Sequence, residues 1–309
     1  MPRSSPLPDS LLRLAAEQGG LVSAAQCDVA GVAQARRGRL VRSGRWGRAT
    51  TGVYVVEPHA PVGAEQRRRR AAWTGVLAYG PGAAAVGASA LVLHGVAGLP
   101  TTITPEVVLR GLRHTAGRDG IRVRRFSTVV RPHGAAFVAP LPEALVQALP
   151  ELPRDNAVAV LDDVLHRRLL PDAELARVRA ATGGRRGAAG LHACWALADR
   201  RAESPLETFA RVQCVDAGIP PDELQLVVRA PDGRHVARCD LAWRRTDGTW
   251  LLVEVDGREF HDVPAAVLHD RHRQNALAVL GHTVLRVTST DVSRRAVAPL
   301  VLASLLPRP

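Results

Sequence analysis

The chain has 309 residues, which is too long for one ordinary hydrophobic core and is typical of two or three domains. Hydrophobic residues make up 46% of it, as in a packed soluble protein, and all 41 basic residues are arginine. The net charge of +12 makes nucleic acid the first partner to consider, although charge alone indicates only non-specific attraction.

The charge is uneven along the chain. Residues 1–70 contain 12 arginines against 5 acidic residues, whereas residues 201–309 contain 14 of each. The amino-terminal part is therefore the predicted electrostatic anchor for DNA, and the carboxyl-terminal part is neutral but rich in carboxylates.

Several signals favour a cytoplasmic protein without a membrane partner. The chain has four widely spaced cysteines, Cys27, Cys194, Cys214 and Cys239. Their spacing fits neither a metal finger nor a redox pair, which predicts reduced core residues, and the start of the chain has no secretory signal. Residues 71–105 contain no charged side chain of Asp, Glu or Arg, but Gly80-Pro81-Gly82 divides them into two pieces too short to cross a membrane.

The first 57 residues are predicted to form a winged helix-turn-helix. Residues 11–18 indicate a first helix, Ser23 caps a short helix at 24–30, and a basic helix follows at 33–42. A short hairpin then ends in Gly52-Val53-Tyr54-Val55-Val56. Such a unit lays its last helix in the DNA major groove and its wing on the DNA backbone.

Arginines of the basic helix and the hairpin are the predicted DNA contacts, because a guanidinium group binds both phosphates and guanine edges. They are Arg36, Arg37, Arg39, Arg42, Arg45 and Arg48. The alternative is a small helical cap with solvated arginines, since arginine spacing by itself is a weak signal.

Residues 58–200 are predicted to form a mostly helical middle domain with a β-rich insert near 105–138. This segment holds no group of residues that indicates a particular chemistry. The neighbouring Asp162 and Asp163 are predicted to lie on a helix surface.

A third predicted domain covers residues 201–309 and has the element order αβββαβ. Ser204-Pro205-Leu206-Glu207 has the pattern of a capping box, with Ser at the N-cap and Glu at the third helical position. Three strands separated by turn signals follow, then a long helix that ends at Gly281 and a last strand at 283–288.

Two carboxylates occupy the third of these strands, which is otherwise apolar. Glu254 and Asp256 share one face of the strand, because alternate side chains of a strand point the same way. Two like charges roughly 7 Å apart on a half-buried face are unfavourable unless a positive group lies between them. The sequence therefore predicts a positive partner at this place.

The second strand is predicted to bring a third acid to the same patch. Its buried face is predicted to consist of four alternate residues, Ala237, Cys239, Leu241 and Trp243. An antiparallel register then sets Asp240 opposite Glu254 and Arg244 opposite Trp250. Three clustered carboxylates suit a hard divalent cation, which predicts that Asp240, Glu254 and Asp256 bind Mg²⁺ or Mn²⁺. The alternative is a solvated acidic face.

These motifs resemble those of a known nuclease superfamily. An Asp on the second strand and Glu-x-Asp on the third are similar to the PD-(D/E)XK nucleases. The run Val-Glu-Val-Asp-Gly-x-x-x-His, followed by Asp270-Arg271-x-Arg273 and by Leu-Gly-x-x-Val-Leu-Arg at 280–286, resembles the domain-of-unknown-function-559 proteins, relatives of the very-short-patch-repair endonucleases. The resemblance covers about residues 203–306 and implies a restriction-endonuclease-like core that acts on DNA.

The chain departs from the wider superfamily at one position. The usual lysine of the third motif is absent, and Asp256 stands in its place. Within this resemblance, Arg273 or His261 would have to orient the phosphate or the water. Glu207 would complete the acidic cluster from the first helix, although its place in the capping box explains it almost as well.

The first 200 residues resemble, more loosely, the AbiEi-type abortive-infection antitoxins. The matching residues are Gly44-Arg45-Trp46, Gly52-Val53-Tyr54 and Ala88-Ser89-Ala90-Leu91-x-x-His94-Gly95. That resemblance implies promoter binding and neutralisation of a toxin protein.

Two functions are therefore predicted. The first is a metal-dependent DNA endonuclease guided by a winged-helix domain, which the three intact acids favour. The second is a non-enzymatic regulator or antitoxin of a toxin-antitoxin or phage-defence system, with a degenerate nuclease fold, which the missing lysine favours.

Overall fold

The computed structural model describes residues 6–59, 63–109, 117–125, 131–133, 136–257 and 264–306. Over these residues the chain forms thirteen α-helices and three small sheets, which confirms the predicted α+β class. The chain divides into two compact units, one of Met1–Pro153 with Leu170–Leu191 and one of Arg154–Leu169 with His192–Pro309. None of the helices in the described ranges combines the length and the hydrophobicity that a membrane span requires.

The helices and strands are numbered separately in chain order. The helices are α1 (Asp9–Glu17), α2 (Ala24–Val29), α3 (Gln34–Arg42), α4 (Ala64–Tyr79), α5 (Gly87–Leu93), α6 (Leu141–Ala148), α7 (Arg154–His166), α8 (Asp172–Ala181), α9 (Ala188–Leu197), α10 (Pro205–Asp216), α11 (Pro264–Val279), α12 (Ser289–Ser293) and α13 (Val297–Leu305). The strands are β1 (Leu21–Ser23), β2 (Gly47–Thr50), β3 (Val53–Val55), β4 (Ala83–Ala85), β5 (Glu106–Leu109), β6 (Arg122–Arg124), β7 (Arg131–His133), β8 (Ala136–Val138), β9 (Glu223–Arg229), β10 (His235–Arg244), β11 (Trp250–Asp256) and β12 (Thr283–Thr288).

The first unit begins with the order α1-β1-α2-α3-β2-β3. Ser23 caps α2 as predicted: its hydroxyl accepts a hydrogen bond from the Gln26 N–H at 3.2 Å, and the Gln26 side chain accepts one from the Ser23 N–H at 2.8 Å. The sequence did not predict β1, whose three residues pair antiparallel with β3 in a sheet of order β1-β3-β2. Leu11, Cys27 and Trp46 pack into the core beside this sheet.

The rest of the first unit contains more strand than the sequence predicted. A five-stranded sheet has the order β6-β5-β4-β8-β7, with β4 at its centre. β4 consists of three buried alanines, paired antiparallel with β5 and parallel with β8. Alanine favours helices in isolation, and backbone pairing on both sides overrides that preference here. β5 to β8 lie within the β-rich insert predicted near 105–138, and β4 lies outside it.

The second unit has the predicted order αβββαβ in α10, β9, β10, β11, α11 and β12. Its sheet has the order β12-β11-β10-β9, with β12 parallel to β11 and the other neighbours antiparallel. The predicted pairing of Arg244 with Trp250 is confirmed. Residues of α10 and α13 pack on one face of the sheet and residues of α11 on the other, so both faces of β11 are covered.

The second unit starts earlier than the predicted boundary at residue 201, because α7 belongs to it. Asp162 of α7 is 1% exposed, so its predicted place on a helix surface is wrong. Its carboxylate accepts hydrogen bonds from Thr208 Oγ1 at 2.7 Å and Arg211 Nη2 at 2.8 Å, both of α10, and from the Asp199 N–H at 2.7 Å. The position of an acidic residue within a helix does not show whether it lies on the surface or pairs with a buried guanidinium group.

Replacing Asp162 by Ala should destabilise the second unit by about 3–5 kcal/mol, because Arg211 would keep a buried charge without a carboxylate. Asp163→Ala is the matched control and should cost less, since its partner Arg167 is 43% exposed and is hydrated when the pair is broken. Urea unfolding followed by tryptophan fluorescence measures both losses of stability. Equal losses would contradict a special role for the buried pair.

Candidate functional site

The predicted acids lie where β10 and β11 part. The antiparallel ladder between these strands ends one residue pair before Asp240 and Glu254. β11 continues to Asp256, held on its other side by β12. The Asp240 carboxylate accepts a hydrogen bond from the Val255 N–H at 2.7 Å, so a side chain replaces the neighbouring backbone as the partner of that N–H group.

β10 turns its side chains over at Asp240, which the sequence did not predict. The four residues expected to share its buried face are all buried, but they divide between two clusters: Ala237 and Cys239 with α11, and Leu241 and Trp243 with α10 and α13. At the same place in β9, Gln225 has a left-handed backbone with φ 55°, and the ladder between the two strands lacks the pair of Gln225 with Asp240. The prediction of a single buried face is therefore wrong.

Two other acidic side chains, Glu207 and Glu254, lie near Asp240. Burial above all, and then the negative charges of Glu207 and Glu254, raise the pKa of Asp240 to about 6, against hydrogen bonds from the Val255 N–H and from Gln225 that lower it. The site thus favours a proton, or another positive charge, at Asp240.

Glu207 joins the first helix of the unit to this cluster. The Ser204 hydroxyl accepts a hydrogen bond from the Glu207 N–H at 3.2 Å, which is the forward half of the predicted capping box. The 8% exposed Glu207 reaches past Ser204, and its carboxylate accepts hydrogen bonds from the Glu203 N–H at 2.9 Å and from the Gln225 amide at 2.8 Å. Its position serves the helix start and the acidic cluster together.

Two guanidinium groups neutralise Glu254, whose side chain is 12% exposed. Arg273 of α11 forms a fork, in which Nη1 donates to Oε1 and Nη2 donates to Oε2 at 2.8 Å. Arg286, the neighbour of Glu254 in the parallel ladder with β12, donates from Nε to Oε2 at 3.1 Å. Arginine thus engages both oxygens of Glu254 and supplies the positive partner that the strand requires.

The remaining predicted residues of the site have other surroundings. Asp256 ends β11, is partly exposed and lies beside Thr288 of β12. His261, predicted to help orient the phosphate or the water, lies outside the described residues.

The donor atoms suit a hard divalent cation in kind. Carboxylate oxygens are the ligands that Mg²⁺ and Mn²⁺ prefer, and Glu207, Asp240 and Glu254 bring them to one end of the sheet. In the described parts of the chain, no group of three or more His, Cys, Asp or Glu side chains is placed to hold a metal ion. The oxygens of Glu254 are held by Arg273 and Arg286 instead.

The arginines predicted to contact DNA differ in exposure. Four of them are exposed along α3, the following turn and β2: Arg39, Arg42, Arg45 and Arg48. Arg36 is half-buried, and its Nη2 donates to the Pro6 carbonyl oxygen at 3.1 Å.

Arg37 has a structural role instead. It is 5% exposed, forms an ion pair with Asp28 of α2 and donates to the Val32 carbonyl oxygen at 2.8 Å. These bonds tie α3 to α2, so the guanidinium of Arg37 is not available to DNA, and its predicted contact is withdrawn.

Two residues of the site were missed from the sequence. Arg286 ends the motif Leu-Gly-x-x-Val-Leu-Arg, and its place beside Glu254 follows once β12 is set parallel to β11. Gln225 carries no such signal, because a glutamine in a strand pattern does not reveal a left-handed backbone.

Asp240→Asn should be more stable than the parent protein at pH 8, by on the order of 3 kcal/mol. The folded-state pKa of Asp240 is raised from 3.8 to about 6, so its ionised form opposes folding above pH 6, and this penalty fades as the pH falls toward 3.8. The amide can still accept the Val255 N–H bond. Urea unfolding at pH 8 and pH 5 measures the difference, and an advantage that stays constant with pH would contradict the assignment.

Comparison with known proteins yields relatives but no family. No family model matches the chain. Two uncharacterized proteins of Mycobacterium tuberculosis, one from strain CDC 1551 / Oshkosh and one from strain H37Rv, are each 33% identical to it over 177 residues. The match covers 57% of this chain and 61% of each relative, so the chain spans less than two thirds of their length.

Proposed function

We propose that this protein binds DNA through its first unit and hydrolyses phosphodiester bonds in its second unit, with a divalent cation. The observation that carries the proposal is the placement of Asp240 and Glu254 on adjacent strands of an αβββαβ unit, where the strands part. The resemblance of the motifs to the PD-(D/E)XK nucleases, which implies acids on these two strands, supports it.

Asp240 and Glu254 would hold the cation, with Asp256 and Glu207 as further carboxylate ligands. When bound, a divalent cation neutralises charge at the scissile phosphate and lowers the pKa of a coordinated water. The bonds from Gln225 to Glu207 and from the Val255 N–H to Asp240 hold two of these acids in place.

Arginine would serve where the usual lysine is missing. Arg273 contacts Glu254 from α11, on the face of the sheet covered by that helix. A guanidinium fork matches a phosphate as well as a carboxylate, so Arg273 would orient the scissile phosphate over the acids.

The amino-terminal part of the first unit would bind the duplex. Its order α1-β1-α2-α3-β2-β3 and its sheet β1-β3-β2 are those expected of a winged helix-turn-helix. Arg39 and Arg42 project from α3, the helix that would enter the major groove, and Arg48 lies on the wing strand β2.

A non-enzymatic DNA-binding regulator is the second candidate, and one observation favours it. Both oxygens of Glu254 are engaged by arginine, as expected if Glu254 forms a structural ion pair and does not bind a metal ion. Under this function, the AbiEi-type resemblance implies a toxin protein as the partner.

Supercoiled plasmid distinguishes the two candidates. The parent protein should nick or linearise it with Mg²⁺ or Mn²⁺ and not with EDTA, and Glu254→Gln should lower the rate at least about a hundredfold, because this change removes a ligand and its charge. Arg154→Gln, which breaks an ion pair with Asp216 at 2.8 Å elsewhere in the same unit, is the control and should keep its rate. DNA binding without cleavage in either cation would favour the regulator.

The exposed arginines of α3 should set the salt dependence of DNA binding. Changing Arg39 and Arg42 together to Ala should flatten the slope of log affinity against log salt by up to about 2, since each phosphate that an arginine neutralises adds about 0.9 to that slope. The control is Arg177→Ala with Arg179→Ala on α8, which removes the same charge from another surface of the first unit. Fluorescence anisotropy in EDTA measures the salt dependence of both double variants. If the two slopes are equal, α3 is not the DNA anchor.

A further inference from the structure

We infer that Arg273 and Arg286, here called the arginine pair, act as a substrate-operated latch on Glu254: a DNA phosphate takes the guanidinium groups and thereby frees the carboxylate for a divalent cation. The inference rests on the proposed function and concerns the regulation of the same site. It assigns a role to Arg286 that neither the motif nor the resemblance specifies.

The latch follows first from how completely Glu254 is engaged. The fork of Arg273 binds both of its oxygens, and Arg286 adds a bond to Oε2 at 3.1 Å. A carboxylate held in this way has little capacity left for a cation, and two guanidinium charges beside it repel one. Glu254 therefore cannot bind a cation well until the arginine pair has another anion.

The arginine pair is more exposed to solvent than Glu254. The side chains of Arg273 and Arg286 are 25% and 24% exposed, whereas that of Glu254 is 12% exposed. An anion arriving from solvent reaches the arginine pair more readily than Glu254. Guanidinium groups bind phosphate oxygens with the geometry they use for carboxylates, so the exchange keeps their hydrogen bonds and charge compensation.

The exchange leaves the negative charge of Glu254 without a partner. Once the arginine pair has moved to a phosphate, Glu254 is an uncompensated and largely buried carboxylate near Asp240. Such a group is unfavourable without a new positive partner, and the freed Glu254 then binds a cation together with Asp240. Phosphate and cation thus raise each other's affinity, and the coupling is reciprocal.

Calcium, which binds oxygen ligands as Mg²⁺ does, is the probe of this coupling, measured by calorimetry on the full chain. The parent protein should bind Ca²⁺ weakly alone and about tenfold or more tightly in complex with a short mixed-sequence duplex, after subtraction of Ca²⁺ binding to the duplex. Arg273→Gln with Arg286→Gln should bind Ca²⁺ more tightly than the parent without DNA, and DNA should add little.

Arg238→Gln is the matched control. Arg238 forms a two-bond ion pair with Glu203 at 2.7 and 2.8 Å, and the Glu203 N–H in turn binds Glu207, so this variant removes a positive charge near the site without touching Glu254. A general charge effect would raise Ca²⁺ affinity in this variant also and leave the dependence on DNA intact in every variant. The latch requires that the dependence on DNA disappears in the double variant and persists in Arg238→Gln.

Three outcomes overturn the latch. They are equal Ca²⁺ affinity of the parent with and without DNA, undiminished dependence on DNA in the double variant, and no Ca²⁺ binding under either condition. The measurement on the parent can still overturn the latch if the double variant does not fold, because equal Ca²⁺ affinity with and without DNA contradicts it. Plasmid cleavage by the parent keeps the failure of the latch separate from the failure of the proposed function, since a nuclease without a latch still cleaves.

Discussion

The carboxylate of Glu254 is withdrawn from water at the end of a strand that is covered on both faces, and a charge in that position has to be compensated. The compensation comes from two different elements, Arg273 on α11 and Arg286 on β12. These bonds join both the crossover helix α11 and the strand β12 to β11. The same contacts that hold the end of the sheet together therefore also occupy the carboxylate of Glu254.

The acids of the site are not treated alike. Glu254 is paired with arginine, whereas Asp240 is bound by the Val255 N–H and by Gln225, and burial and neighbouring acids raise its pKa to about 6. Gln225, whose backbone is left-handed, donates to Glu207 and also binds Asp240. A left-handed glutamine is costly in a strand, and such strain is characteristic of functional sites.

The chain has arginine but no lysine, and its arginines have different tasks. In the first unit, Arg37 is buried and ties α3 to α2, while Arg39 and Arg42 of the same helix face solvent. In the second unit, Arg211 binds the buried Asp162. A planar group with several fixed donors can serve each task, which a lysine ammonium does less well.

Patterns in the sequence predicted the local elements of the second unit and placed two acids on neighbouring strands. Hydrophobic periodicity and turn residues located the strands and helices from α10 to β12, because these patterns depend on near neighbours along the chain. The predicted register of β10 against β11 is confirmed from Arg244 and Trp250 to Leu241 and Val253, one pair short of Asp240 and Glu254. The surroundings of the acids depend on tertiary contacts. Three alanines became the central strand β4, Asp162 became a buried partner of α10, and Arg286 came beside Glu254 through a parallel pairing. Each of these depends on partners distant in the chain, whose desolvation and charge no local pattern records.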